Sequence, residues 1–250
     1  KILLAGGVNT GKGTNSCVIR LLDNGNPDPT FGVNGLAEVA TVPTGTDYFY
    51  CISALADGSV LGGGASLAGI GTAVRLNADG SLLNSFGTNG VAQVNIPGEP
   101  SVFYSAALQS DGKILLGGSR ANVNNRDFLL VRLLANGIPD VSFGIAGEVL
   151  SNAGELNILR AVSVQTDGKI LGAGYQSSTG SLEQAAILRY TDKGALDASF
   201  GTNGIATNFN STVRSRFYGL TLRSDGRAIA SGYWGGHPSF SLTWLWPVFK

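Results

Sequence analysis

The residues closest to a recognisable chemistry are Gly6-Gly7-Val8-Asn9-Thr10-Gly11-Lys12-Gly13. They approach a phosphate-binding loop, but Gly13 stands where a Ser or Thr must ligate magnesium. Such a loop also needs a following helix whose N-terminal N–H groups hold the phosphates, and the next segment, Cys17 to Leu22, reads as a strand. A plain hairpin loop is the expectation. Asp23, Asn26 and Asp28 gather in one loop, Asp192 and Asp197 in another. Calcium would need six to eight converging oxygens, and the repeated Asp-Gly pairs are explained by turn geometry and side-chain hydrogen bonds to the backbone, so no cofactor is expected. The sole histidine, His237, excludes a multi-histidine metal site and leaves little for a Ser–His–Asp arrangement. Paired carboxylates for glycoside hydrolysis could meet across loops, but nothing singles out a pair.

The strongest pattern is repetition. Asp-Gly recurs with Asp57, Asp111, Asp167 and Asp225, and Phe-Gly with Phe31, Phe86, Phe143 and Phe200. Arg20, Arg75, Arg132 and Arg189 each precede the Phe by 11 residues, and every series is spaced by 54 to 58 residues. That is the range of propeller blades and other repeat folds. Each arginine lies in an apolar segment, where a guanidinium must be paired or reach the surface. Recurrence at equivalent places points to a structural partner, a carboxylate or carbonyls of the Phe-Gly loop. A functional ring of arginines on one face is the rival reading. The Phe is expected to plug between neighbouring repeats.

Each repeat reads as four short strands. The first, such as Tyr104 to Gln109, ends at the Asp-Gly hairpin turn. The second, such as Lys113 to Leu116, is expected to end at a Gly-rich segment, Gly117-Gly118. The third, Phe128 to Leu133, is apolar enough to be buried on both faces, and the fourth follows the Phe-Gly loop. Four antiparallel strands per repeat predict an all-β protein, a β-propeller of four-stranded blades, with a solenoid or sandwich as the alternative. About five blades are present in one repeat domain over 1–250, with a degenerate final unit at 227–250. Blade one lacks its first strand and blade five its fourth, which favours part of a larger ring.

The phrases Asp111-Gly112-Lys113-Ile114-Leu115-Leu116-Gly117-Gly118, Val131-Arg132-Leu133 and Ser85-Phe86-Gly87-Thr88-Asn89-Gly90 resemble the bacterial delta-60 repeat, a family of largely uncharacterised β-propeller repeats. The likeness runs in register over roughly residues 1 to 232; at the end Trp244-Leu245 replaces the expected Arg-Leu. The resemblance implies secreted or cell-surface bacterial proteins in which the propeller binds or builds, and it implies no shared catalytic residues.

Lys plus Arg and Asp plus Glu are 17 each, without long runs of one sign, which argues against nucleic acid as partner. No apolar run is long enough for a membrane helix. The start at Lys1, without Met, is read as a mature chain or a fragment. Cys17 and Cys51 could form one disulfide. Asn210-Ser211-Thr212 is a glycosylation-type triplet of a kind common by chance. Recognition is expected in the loops between second and third strands, where repeats differ most. Tyr233, Trp234, Trp244 and Trp246 form an aromatic cluster that could stack on sugar or cover a seam. The leading expectation is a structural or protein-interaction module whose partners are other chains or further domains. A carbohydrate-binding propeller is second, and a hydrolase with carboxylates at a central opening is third.

Overall fold

The computed structural model describes residues 1–41, 46–66, 68–94, 99–122, 124–178, 181–207 and 213–235, with the backbone of 240–245. The described residues are all-β, with several antiparallel sheets consistent with a propeller-like architecture. They group into two compact units: Lys1–Ala106 with Leu133–Ile138, and Ala107–Arg132 with Pro139–Lys250.

In the first unit, β1 (Ile2–Asn9), β2 (Thr14–Leu21) and β3 (Leu36–Val39) form one three-stranded sheet. The second repeat forms a four-stranded sheet in chain order: β4 (Asp47–Ala54), β5 (Val60–Ser66), β6 (Gly71–Leu76) and β7 (Val91–Val94). The strand β8 (Ser101–Leu108) opens the third repeat and is divided between the units. In the second unit follow β9 (Ile114–Ala121), β10 (Arg126–Leu133, of which Leu133 falls in the first unit) and β11 (Glu148–Ser151), with β11 paired to β10. The fourth repeat contributes β12 (Leu156–Val164), β13 (Ile170–Ser177), β14 (Gln184–Tyr190) and the short β15 (Ile205–Ala206). One parallel pair, Arg126 with Leu156, joins β10 to β12. The last sheet is β16 (Ser215–Leu222), β17 (Ala228–Trp234) and β18 (Phe240–Leu245).

Each core cluster gathers residues of neighbouring repeats, because one small sheet cannot bury its apolar surface alone. Val18, Phe31, Phe49, Val60 and Val74 bury the interface between the first two sheets. Leu130, Phe143, Leu159, Ile170 and Leu188 do so for the third and fourth repeats, and Leu171, Ile187, Phe217 and Ala230 for the fourth and last. The Asp-Gly turns form as their chemistry requires. Gly58, Gly112, Gly168 and Gly226 take φ of 80 to 84°, and each Asp Oδ1 accepts from the N–H two residues on at 2.9–3.1 Å.

The glycine-rich segments do not end the second strands. β5, β9, β13 and β17 run through them. The cause lies in the first strand of the repeat, where β4, β12 and β16 carry a register shift between Phe49 and Cys51, Leu159 and Ala161, and Phe217 and Gly219. Ahead of each bulge the first strand presses onto its neighbour. A Cβ at Gly64, Gly174 or Gly232 would lie 1.8, 1.8 or 1.9 Å from the carbonyl oxygen of Tyr48, Ile158 or Arg216. Only glycine fits such a backbone approach.

Candidate functional site

Arg20, Arg132 and Arg189 are each held by an aspartate eight residues on. Their Nε donates to Asp28, Asp140 and Asp197 at 2.8 Å. A guanidinium N–H of Arg20 and of Arg132 also reaches forward into the next repeat, to the carbonyl of Ala78 at 2.5 Å and of Asp192 at 2.6 Å. Beneath them lie the phenyl rings of Phe31, Phe143 and Phe200, 4.3–4.8 Å from the guanidinium carbon. A lysine just before the second strand adds a second cation: Lys1 to Asp28 at 2.7 Å, Lys169 to Asp197 at 3.0 Å and Lys113 to Asp140 at 3.9 Å. The Lys1 ammonium, then Thr30 and Arg20, hold the Asp28 carboxyl far below its ordinary range. Ser199 and then Lys169 do the same to Asp197, and Ser142 leads at Asp140. Asp28 and Asp197, considered above for calcium, thus already accept from cations and hydroxyls.

The Phe-Gly pair completes this clamp. Phe31, Phe86 and Phe143 are fully buried. The N–H of Gly32, Gly87 and Gly144 donates across to Asp79, Asn136 and Lys193 of the following repeat at 2.7, 2.7 and 3.0 Å. The third-to-fourth-strand turn glycine of that repeat sits on the ring, and a Cβ at Gly80, Gly137 or Gly194 would come within 2.9–3.2 Å of it.

A second seam was not recognised in the sequence. Asp47, Ser101, Asn157 and Ser215 are buried near the start of their first strands. Ser101 Oγ accepts from Gly71 at 3.2 Å, Ser215 Oγ from Ala185 at 2.9 Å, and Asn157 donates to the Arg126 carbonyl at 2.9 Å. Asp47 accepts from Thr41 at 2.9 Å. The signal was available as a small polar residue recurring every 54, 56 and 58 residues.

What these seams leave over is the set of bulged residues. The bulges project Tyr50, Arg160 and Tyr218 from the first strands. In the first unit Tyr50 is 52% exposed and Tyr48 39%. The Tyr48 and Tyr50 rings lie 6.2 Å apart, and those of Tyr50 and Tyr104 5.4 Å. Tyr48 lies on the backbone of Gly7, where a Cβ would meet its ring at 2.7 Å. In the second unit Arg160 lies over Tyr175 and Tyr218, and Arg216 over Tyr175.

The phosphate-loop lookalike is a tight hairpin turn, closed by Thr10 N–H to the Gly13 carbonyl at 2.9 Å between β1 and β2. Cys17 and Cys51 are not bonded to each other: Cys17 is buried in β2, and the Cys51 thiol donates to the Gly63 carbonyl at 3.5 Å. Burial pushes the Cys51 thiol up to about 12. Of the aromatic cluster, Tyr233 is exposed and opposite Phe240, while Trp244 pairs with Ile229, four ladder positions away. Trp246, His237 and Asn210-Ser211-Thr212 lie outside the described residues.

Residues 1–31, 109–143 and 165–200 match a family model described as "Domain of unknown function (DUF5122) beta-propeller". A β-propeller-related domain covers part of this chain. The matched stretches hold the clamps of the first, third and fourth repeats and omit that of the second. Among solved structures the chain is similar to a "Hypothetical protein from leishmania major", at 13% identity and a TM-score of 0.41, covering 98% of this chain and 84% of that one. A search of curated proteins finds no match.

Proposed function

We propose that the chain is a non-catalytic scaffold and protein-interaction module of a secreted or cell-surface bacterial protein. In this reading it consists of delta-60 repeats arranged as about five propeller blades, the first and last incomplete, within a larger ring. The observation that carries it is the use made of the repeated charged side chains. Arg20, Arg132 and Arg189, with their aspartates, are bound up in seams, so they supply cohesion and not chemistry. What stays accessible is the pair of bulged tyrosines, Tyr50 and Tyr218, on a repeated frame, the arrangement that recognition favours. A photo-crosslinking residue at position 50 or 218, introduced in the producing cell, should trap a partner chain, and the same probe at exposed Val33 should not. Equal trapping at all three places, or glycoside turnover by the isolated protein, overturns the reading.

Carbohydrate binding is the second reading, favoured by the half-exposed rings of Tyr48 and Tyr50 beside Tyr104. Neighbouring exposed phenol rings offer apolar faces for pyranose stacking and hydroxyls for hydrogen bonds.

A further inference from the structure

Gly6 holds, in the first repeat, the place of Gly64, Gly174 and Gly232. It pairs with Cys17, three residues before Arg20, as Gly64 pairs with Thr72, three before Arg75, and Gly174 with Ala186, three before Arg189. In the later repeats a side chain there would strike a carbonyl of the bulged first strand. A Cβ at Gly6 would find no described neighbour within 4 Å, and β1 is the edge of its sheet. Glycine inside a strand weakens it unless another backbone must come close. Among the described residues no backbone comes close to Gly6.

The same face differs from its counterparts twice more. Ile2 is 49% exposed, while Val60, Ile114 and Ile170 at its place are buried. Val60 clusters with Val18 and Phe31 of the repeat before it, and Ile170 with Leu130 and Phe143. Gly80, Gly137 and Gly194 lie against the Phe ring of the preceding repeat, whereas a Cβ at Gly25, in the matching turn, would again find no described neighbour within 4 Å. A repeat that caps an array carries a polar outer face. This one presents Ile2, the 49% exposed Leu4 and an open strand edge.

One occupant fits all three features. A bulged strand beside β1 brings its carbonyl to Gly6, and the repeat ahead of that strand lays apolar side chains on Ile2 and its Phe ring on Gly25. We infer that the N-terminal face of the first repeat is an acceptor for a further repeat of the same kind, one that carries a Phe-Gly pair and ends in a bulged strand. The inference rests on the repeat-array reading above and adds the contact surface and the chemistry of what it receives.

Residues 113–168 hold one such unit, from β9 through Phe143-Gly144 to β12 and its Asp167-Gly168 turn. A copy fused ahead of Lys1 sets Gly168 before Lys1 as it stands before Lys169. Hydrogen exchange at the β1 amides that point away from β2 should slow by about tenfold or more relative to the 250-residue chain, and a scrambled copy should leave it unchanged. Gly6→Val should leave the melting temperature of the 250-residue chain within about 1 °C and lower that of the fused chain by about 5 °C or more. Unaltered exchange in β1 beside a folded copy, equal protection by the scrambled copy, or an equal loss from Gly6→Val in both chains overturns the acceptor face and leaves the array standing. A copy that stays unfolded, digested by protease back to the 250-residue chain, overturns both. A 250-residue chain that sediments as a dimer and is split into monomers by Gly6→Val overturns the inference too, since a second copy then covers the face.

Discussion

In the first, third and fourth repeats the arginine meets an aspartate eight residues on, and Lys1, Lys113 or Lys169 joins it. The second repeat has Leu83 at that place and Ser59 where the others have lysine. Arg75 turns back instead, to Asp57 at 2.7 Å and Ser59 Oγ at 3.2 Å, while keeping its forward reach to the Ala135 carbonyl at 3.2 Å. Both partners change together, since a lysine without its aspartate would face only Arg75. Asp57 is 58% exposed on its side chain and Asp140 7%, so water screens one pair and hardly touches the other. The forward hydrogen bond is common to both designs. The buried carboxylate is a local solution to neutralising the arginine, and a surface carboxylate can replace it.

The sharpest way to break this comparison is to truncate the arginines. Arg132→Ala leaves Asp140 buried without its guanidinium partner and should destabilise by about 3–5 kcal/mol, whereas Arg75→Ala should lose about 1 kcal/mol. Urea unfolding followed by tryptophan fluorescence measures both, and equal losses would erase the distinction. Acid separates the two designs next. Folding lowers the pKa of Asp28, Asp140 and Asp197, so their contribution is full above the unfolded value of about 4 and disappears as pH falls through the depressed folded values. The melting temperature should therefore fall below about pH 4, and replacing the three by Asn should flatten that fall more than Asp57→Asn does. A graft probes the same point: Ser59→Lys with Leu83→Asp should be more stable, by about 1 kcal/mol, than the sum of the two single changes implies. Simple additivity would show that the partners do not act together.

The smallest effect concerns the loop behind each Phe. Asn34, Asn89 and Asn203 take φ of 51 to 53°, and Ala146 takes 54° at the same place. Asn tolerates the left-handed region better than Ala, so Ala146→Asn should raise stability by about 0.5–1 kcal/mol in thermal unfolding. An unchanged melting temperature would mean that the third repeat relaxes this strain elsewhere.

Much of the fold was legible because each turn carries its own chemistry. Asp-Gly and Phe-Gly pairs marked strand ends that the structure places within a few residues. The glycines after the second strand misled, because their composition is that of a turn. What demands them is the carbonyl of the facing strand, a contact that no local pattern announces. The arginines were legible as structural, since a guanidinium among apolar residues needs partners. Their partners were obscured because Asp28 and Asp197 also suit a turn or a metal loop. The candidate binding surface was least legible. Tyr50, Arg160 and Tyr218 differ in type, and only the bulge makes them equivalent.

The forward reach of the arginine and of the Phe-Gly amide gives the chain a direction. Donors of one repeat meet acceptors of the repeat made after it. On the ribosome, a newly emerged repeat brings the carbonyls that its predecessor already awaits, so closure can advance from the N-terminal side as synthesis proceeds. A duplication or loss of one whole repeat carries a matched donor and acceptor with it. Such an array can change length by recombination without rewriting its joints.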